Sequence, residues 1–338
     1  MVKAGFLDKI NSDIIIRNYE IPEPKDDEVT VKQSYSGVCF RDILTKNGFQ
    51  PRVNLPVIPG HEIEGIIVKA GKNVSNFKIN DRVSSLIYVP CGKCEYCLSG
   101  NENLCPYKKN FGESINGGYS QYVNVNENSL VKVPDNVSHE AAAIAACVTG
   151  MLYHAIYTAG KITKDDYVLI TGAGGGVGVH AIQMVKALGG HPIAATSSKW
   201  KEEELYKLGA EYIVDSTLDY NKEIKKISNG VNIALETVGI YTFNKSLRSL
   251  KPGGRMVVIG NLKPDPVELP LGLIILKGNS IKGSISSTKN DLKEALKLNS
   301  ENKIKAIIGE KIDLNDINNA YNHMLNKKIF GRVLIKYN

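Results

Sequence analysis

The sequence predicts an α/β protein in two parts, a mostly β N-terminal region followed by a doubly wound parallel sheet. Three observations carry that reading. Residues 1 to about 145 are built of short β-prone runs broken by turn residues. After Asp165-Asp166, apolar strands alternate with amphipathic helices. A glycine-rich turn, Gly172 to Gly178, stands between the first of those strands and the helix that follows. The length of 338 residues suits two domains, and 43% apolar residues suffice for two cores.

In the first part, Val29 to Gln33 and Ile63 to Val68 have β character, and Gly37, Gly48, Gly71 and Gly117-Gly118 read as turns. An alanine-rich helical stretch begins at Ser138. In the second part the strands are Tyr167 to Thr171, Ile193 to Thr196, Tyr212 to Val214, Ile233 to Glu236 and Met256 to Gly260. Helices are expected over His180 to Leu188 and Glu202 to Leu208. Such alternation gives a parallel sheet covered on both faces. Beyond about residue 285, the helix-strand remainder ending in Gly331 to Lys336 has no dinucleotide logic of its own.

Composition excludes more than it identifies. Lys plus Arg number 42 against 35 Asp plus Glu, a net +7 spread without a run of five like charges, so nucleic acid is not an expected partner. The apolar stretches Ala141 to Val148 and Leu269 to Leu276 are far shorter than the ~20 residues that span a bilayer. Met1-Val2-Lys3 runs into a polar segment without the charged head and apolar stretch of a secretory signal, so a cytoplasmic protein without membrane attachment is expected.

All six cysteines fall into two patterns. Cys91, Cys94, Cys97 and Cys105 form a C-x2-C-x2-C-x7-C run, short enough for the backbone to wrap one ion in a closed cage of four sulfurs. Two disulfides or an iron site are the rival readings, and the lack of a secretory signal weighs against the disulfides. Cys39 and Cys147 lie far apart around the pair His61-Glu62. Taken singly, each would be a buried hydrophobe. With His61 they make three ligands, the number that leaves a zinc ion one open position for chemistry. Two zinc ions per chain are therefore expected.

The glycine turn follows Val168-Leu169-Ile170 and opens a helix, the context of a Rossmann nucleotide site. Gly172, Gly174, Gly175, Gly176, Val177 and Gly178 allow tight turning and close approach to a pyrophosphate, which the helix N-terminus favours. The spacing is one residue longer than G-x-G-x-x-G. The next strand ends in Thr196-Ser197-Ser198-Lys199, with hydroxyls and a cation where an acid would select NAD(H). A carboxylate would repel a 2'-phosphate and these groups can bind one, so NADP(H) is expected over NAD(H).

The order Gly37-Val38-Cys39-Phe40-Arg41-Asp42, Pro59-Gly60-His61-Glu62, the four-cysteine run, Cys147 and the glycine turn resembles the zinc-containing medium-chain dehydrogenase/reductase superfamily, alcohol dehydrogenase type. Leu208-Gly209-Ala210, Leu250 to Arg255 and Gly331-Arg332-Val333 extend the likeness over essentially the whole chain. The resemblance implies a GroES-like zinc-binding catalytic domain at 1–148, with 285–338 returning to it, and a Rossmann domain at 149–284. It also implies Cys39, His61 and Cys147 as catalytic-zinc ligands, with Glu62 able to fill the vacant position, and Cys91, Cys94, Cys97 and Cys105 as the structural zinc cage. Asp42 would accept the second imidazole N–H of His61 and fix its tautomer, the rival reading being an ion pair with Arg41. Ile259, Gly260 and Arg332 would contact the cofactor, and a homodimer or homotetramer acting on a small-molecule substrate is expected.

One departure bears on the reaction. Two residues after the first zinc cysteine, the alcohol dehydrogenases usually carry Ser or Thr to pass the alcohol proton outward; here stands Arg41, which cannot relay one. Leu44 occupies the place of a relay histidine found in some members. Cys39-Phe40-Arg41-Asp42, Cys147 to Tyr153, the long glycine turn and Leu271 to Lys277 resemble the archaeal acryloyl-CoA reductase branch of the same superfamily. There NADPH reduces an activated double bond, and Arg41 would help bind a diphosphate. The full zinc ligand set favours alcohol/carbonyl interconversion, with enoyl reduction as the alternative.

Overall fold

A computed structural model describes residues 1–263 and 265–337. The chain forms two compact units: 1–150 with 286–301 and 308–338, and 151–285 with 302–307. The α/β class read from the sequence is the one found.

The first unit is built on an eight-stranded sheet. Its main path runs Leu130–Lys132, Arg82–Ser85, Glu62–Ala70, Tyr35–Val38, Arg332–Lys336, Ile308–Ile312. Glu28–Lys32 pairs with Glu62–Ala70 on one side and with Tyr122–Asn126 on the other. All of these pairs are antiparallel except Ile308–Ile312 with Arg332–Lys336. β-Branched Val29, Val31, Ile63, Ile67, Val83, Val123 and Val125 fill one core under this sheet. A second core joins Phe6, Leu7, Ile43, Val57 and Tyr119 to Ile317, Tyr321, Val333 and Ile335. The chain's last segment is thus part of the same hydrophobic interior as its first.

Gly37, expected as a turn, lies inside the strand Tyr35–Val38, opposite Glu62. A Cβ there would stand 1.7 Å from the Glu62 carboxylate, so this glycine serves close approach rather than a bend.

The second unit holds six parallel strands in the order Tyr212–Asp215, His191–Thr196, Tyr167–Ile170, Val231–Glu236, Leu250–Val258, Ser280–Gly283. Numbered along the chain this is 3-2-1-4-5-6, the order whose reversal between strands 1 and 4 opens a crevice at their carboxyl ends. Leu169, Ile193, Ala195, Val214, Val231, Ala234 and Met256 make its core with Phe243 and Leu247 of the helix Phe243–Ser249. That helix and Asn221–Ser228 went unread in the sequence, both being about two turns long, too short for a reading that depends on a repeated pattern.

The helical run His139–Ala159 has the length and apolarity of a membrane span, unlike the shorter apolar stretches seen in the sequence, but most of it is buried within the protein.

Candidate metal and nucleotide sites

Cys39, His61 and Cys147 reach one point from three elements of the first unit. Cys39 is the N-cap of the helix Phe40–Lys46, and the Asp42 carboxylate at the third helical position accepts its backbone N–H at 2.9 Å. His61 sits immediately before the strand Glu62–Ala70. Cys147 lies in a widened, π-type stretch of helix, Ala145–Gly150, whose Ala146 carbonyl accepts from the Ser287 hydroxyl.

The Cys39 and Cys147 sulfurs are 3.9 Å apart, and His61 Nε2 is 3.3 Å from the Cys147 sulfur. One ligand atom each from these three residues and Glu62 lies within 4.8 Å of all the others. Sulfurs bound tetrahedrally at about 2.3 Å from zinc stand about 3.8 Å apart, so the spacing fits. The chemistry fits too. The hydrogen bond from Cys147 holds the Cys39 thiol well below its ordinary value, and the same bond with burial pushes Cys147 well up. Two thiols this close do not both ionise without a cation between them.

Asp42 is committed to the imidazole. Its Oδ1 lies 3.0 Å from His61 Nδ1, leaving Nε2 to face the sulfurs, while Oδ2 accepts from the Tyr119 hydroxyl at 2.9 Å. Tyr321 in turn donates to the Tyr119 oxygen at 3.1 Å. Burial opposes the His61 cation, but Asp42 and the Cys39 sulfur outweigh it and raise the imidazole well above its usual range. Burial first, then Asp42, pushes the Tyr119 phenol well up, so it remains a donor.

Arg41 does not pair with Asp42. Its Nε donates to Glu113 Oε1 at 2.7 Å, and Asn110 donates to the other Glu113 oxygen. Burial alone would raise the Glu113 carboxyl, yet Arg41 holds it below its usual range. Nothing in the sequence marked Glu113 or Tyr119, which lie in loops 72 and 77 residues from their partners.

Arg332 and Glu62 form a buried ion pair through Arg332 Nη2 and Glu62 Oε1. Glu62 Oε2 has no hydrogen-bond partner among the described residues, and one oxygen of this carboxylate lies within 4.8 Å of the other ligand atoms. Burial raises the Glu62 carboxyl despite Arg332. Arg332, expected at the cofactor, is thus tied to the residue beside His61.

The four-cysteine lobe is local. Cys94 caps the one-turn helix Glu95–Leu98, and Cys105 follows the turn Glu102–Leu104. Cys91 and Cys97 sulfurs are 3.9 Å apart and Cys94 and Cys97 3.5 Å, again tetrahedral zinc–thiolate spacing. Backbone N–H of Lys93 lowers the Cys91 thiol to about 6, and burial raises Cys97 to about 12. All six cysteines are free thiols.

In the second unit, Gly172 adopts φ +59° and a Cβ there would meet the Thr237 hydroxyl at 2.7 Å. Gly178 opens the helix Gly178–Ala187, and a Cβ on it would come within 2.4 Å of Ala173 Cα. The Gly176 carbonyl accepts from His180 at 2.7 Å. Below the turn sits Glu236, fully buried. Its carboxylate accepts from the hydroxyls of Thr171, Thr242 and Ser246 and from the N–H groups of Val238 and Gly239. Thr237 closes the clasp, its N–H bonding the Thr171 hydroxyl at 2.8 Å and its own hydroxyl the Thr171 carbonyl at 2.7 Å. Ile259 and Gly260 donate their N–H groups to the Glu236 carbonyl at the end of Leu250–Val258.

Thr196 is buried at the end of its strand, and its hydroxyl accepts from Ser198 N–H, whereas Ser197 and Lys199 are exposed. Two further charged groups sit here. Lys201 is buried and donates to the Gly174 carbonyl at 2.9 Å. Asp215 stands beside Thr196 on the neighbouring strand, its carboxylate accepting from Thr217. Lys201 lies two residues beyond Lys199 in the chain, and Asp215 comes beside Thr196 only through the pairing of the two strands.

Family models for the alcohol dehydrogenase GroES-like domain and for zinc-binding dehydrogenase match residues 25–135 and 176–301. The chain is 42% identical over 320 residues to the acryloyl-coenzyme A reductase of Sulfurisphaera tokodaii, covering 94% of this chain and 95% of that protein. It is 36% identical over 339 residues to an alcohol dehydrogenase of Geobacillus stearothermophilus, covering 99% of each. Among solved structures, AibC superposes with a TM-score of 0.93 at 33% identity, over 99% of this chain and 95% of that one. The chain therefore belongs to the zinc-containing medium-chain dehydrogenase/reductase superfamily, as an oxidoreductase of the alcohol dehydrogenase type near the acryloyl-CoA reductase branch.

Proposed function

We propose that the protein reduces the activated double bond of an acryloyl-CoA-type thioester with NADPH. The observation that carries this reading is Arg41, which stands where the alcohol branch places its relay hydroxyl and is locked to Glu113 at 2.7 Å. That corner of the site offers a fixed guanidinium, which cannot relay a proton, in place of the hydroxyl that the alcohol branch uses. The 42% identity to a protein named acryloyl-CoA reductase supports the same choice.

The glycine turn would hold a nicotinamide as the hydride source and Cys39, His61 and Cys147 would hold a zinc ion as a Lewis acid, the proton that completes the reduction coming from solvent. The chain's own residues prepare for both. Asp42 holds His61 in the tautomer that presents Nε2, and Arg332 holds Glu62 by one oxygen beside the ligand group. A partly exposed Arg41 face lies beside the same centre for an anionic substrate group. The cysteine lobe would hold a second, structural zinc.

Alcohol/carbonyl interconversion is the second reading, favoured by the complete set of three zinc ligands, which reduction without metal chemistry does not require. NADPH and NADH oxidation measured side by side with acryloyl-CoA, aldehydes and ketones separates the two. Turnover confined to aldehydes or ketones would discard the enoyl reading.

The preference for NADPH rests on Ser197, Ser198 and Lys199 around Thr196, with Asp215 as the opposing charge. Each charge-assisted contact to a 2'-phosphate is worth about 1.5–3 kcal/mol. NADPH should therefore bind about tenfold or more tighter than NADH, and Thr196→Asp should reverse the order; equal dissociation constants in the unaltered protein would refute the preference. A homo-oligomer, dimer or tetramer, is supported by the exposed Leu271, Ile275 and Leu276 and by the open sheet edge at Ser280–Gly283.

A further inference from the structure

We propose that Tyr119 and Tyr321 are positioning residues for the metal ligand His61, acting through Asp42 as a buried hydroxyl chain that ties the helix Ile317–Leu325 to the metal centre. The inference rests on the reading of Cys39, His61 and Cys147 as a zinc site.

The geometry is a line of four groups. Tyr321 donates to the Tyr119 oxygen at 3.1 Å, Tyr119 donates to Asp42 Oδ2 at 2.9 Å, and Asp42 Oδ1 meets His61 Nδ1 at 3.0 Å. All four residues are at most 4% exposed. Both phenol rings belong to the hydrophobic core made by Phe6, Leu7, Ile43, Val57 and Ile317, so each hydroxyl is carried on a ring packed among apolar side chains. A hydroxyl buried there without a partner would be destabilising, and the chain gives each one a partner in the direction of the metal ligand.

The direction of donation matters. A carboxylate free to rotate can offer the imidazole either oxygen or neither. Asp42 cannot, because Oδ2 is held from two sides, by the Tyr119 hydroxyl and by Cys39 N–H. The remaining oxygen is aimed at His61, and Tyr321 keeps the Tyr119 oxygen occupied as an acceptor so that its proton points to Asp42. Groups that orient a ligating imidazole typically alter metal affinity ten- to a hundredfold when removed.

The test uses the full-length protein with zinc, and with cobalt(II) exchanged into the Cys39–His61–Cys147 centre, and measures affinity by chelator competition alongside the cobalt visible spectrum. Tyr119→Phe should weaken metal binding at that centre about tenfold or more and shift the cobalt bands, with the cysteine lobe retaining its metal. Tyr321→Phe should do the same by about threefold. Tyr337→Phe is the control, since its hydroxyl donates to the Gly118 carbonyl and does not touch Asp42; it should leave affinity and spectrum unchanged. Wild-type affinity and spectrum in Tyr119→Phe, or equal shifts in Tyr337→Phe, would overturn the proposal. Should Tyr119→Phe not fold, Tyr321→Phe leaves the Tyr119–Asp42 bond in place and decides the matter by the same two readouts. A wild-type chain that takes up metal only at the cysteine lobe overturns the zinc reading itself and the inference with it. Two metals with insensitive variants overturn the inference alone.

Discussion

The two cysteine clusters of the first unit hold the same chemistry by opposite means. The lobe draws its four sulfurs from Cys91 to Cys105, a stretch whose fold is set by two short turns. The other centre draws Cys39, His61 and Cys147 from a helix cap, a strand entrance and a widened helix, and surrounds them with Asp42, Tyr119, Glu113 and Arg332. A local cage can take metal early and lends stability; a dispersed centre exists only after the sheet and core have formed, and its geometry is dictated by them. The first is suited to holding structure and the second to positioning a reaction.

The largest effect should come from His61→Ala. Losing a Lewis-acid centre removes several kcal/mol of transition-state stabilisation, so turnover should fall about a thousandfold or more while the circular dichroism spectrum stays close to wild type. Zinc content should drop by one equivalent. Loss of both metals, or of the fold, would erase the contrast between the clusters.

Cys94→Ser should do the reverse. An incomplete cage gives up much of its binding energy, so the zinc equivalent of the lobe should be lost and the unfolding midpoint should fall on the order of 5 °C, with kcat of the folded fraction nearly unchanged. A collapse of kcat at full stability would mean that the lobe takes part in the reaction.

Arg41→Thr probes the dispersed centre at its edge. Removing the guanidinium leaves Glu113 buried without its cation and takes away the proposed anion contact. The KM for acryloyl-CoA should rise about tenfold, with no gain toward alcohols; about a tenfold gain in alcohol oxidation would instead favour the alcohol reading.

The smallest effect is a pH dependence. The His139 imidazole, at the start of the helical run that carries Cys147, bonds the buried Glu64 carboxylate at 2.8 Å, and that bond raises it above its usual 6.5. A raised histidine stabilises the fold fully below its unfolded value, and the contribution is lost as pH climbs through the folded value. Thermal stability should therefore decline slightly as pH rises above about 6.5, and His139→Gln should flatten that slope. An unchanged slope would show that this pair does not brace the helix.

Much of this was legible in the chain. The cysteine spacing marked the lobe, because four ligands within one loop leave their geometry in their intervals. The context of Gly172 to Gly178 likewise marked a turn between the strand Tyr167–Ile170 and the helix Gly178–Ala187, where the fold has it. What stayed hidden were the distant partners that no motif marks. Tyr119 meets Tyr321 across 202 residues, and Lys289 N–H meets Glu102 across 187. Gly37 was misread because a glycine needed for close approach to Glu62 looks, in one dimension, like any turn glycine. The ion pair of Arg332 with Glu62 was hidden in the same way, since 270 residues separate the two.

The clasp around Glu236 bears on the kinetics of the second unit. Its five accepted hydrogen bonds and the doubled Thr171–Thr237 contact join the glycine turn to the neighbouring strand end through protein atoms alone. The turn is therefore shaped when the chain folds, and a dinucleotide of the kind proposed would have little loop entropy left to remove. Association with such a ready-made cradle would be governed by encounter and alignment, and differences in affinity between one dinucleotide and another would fall on how fast each leaves.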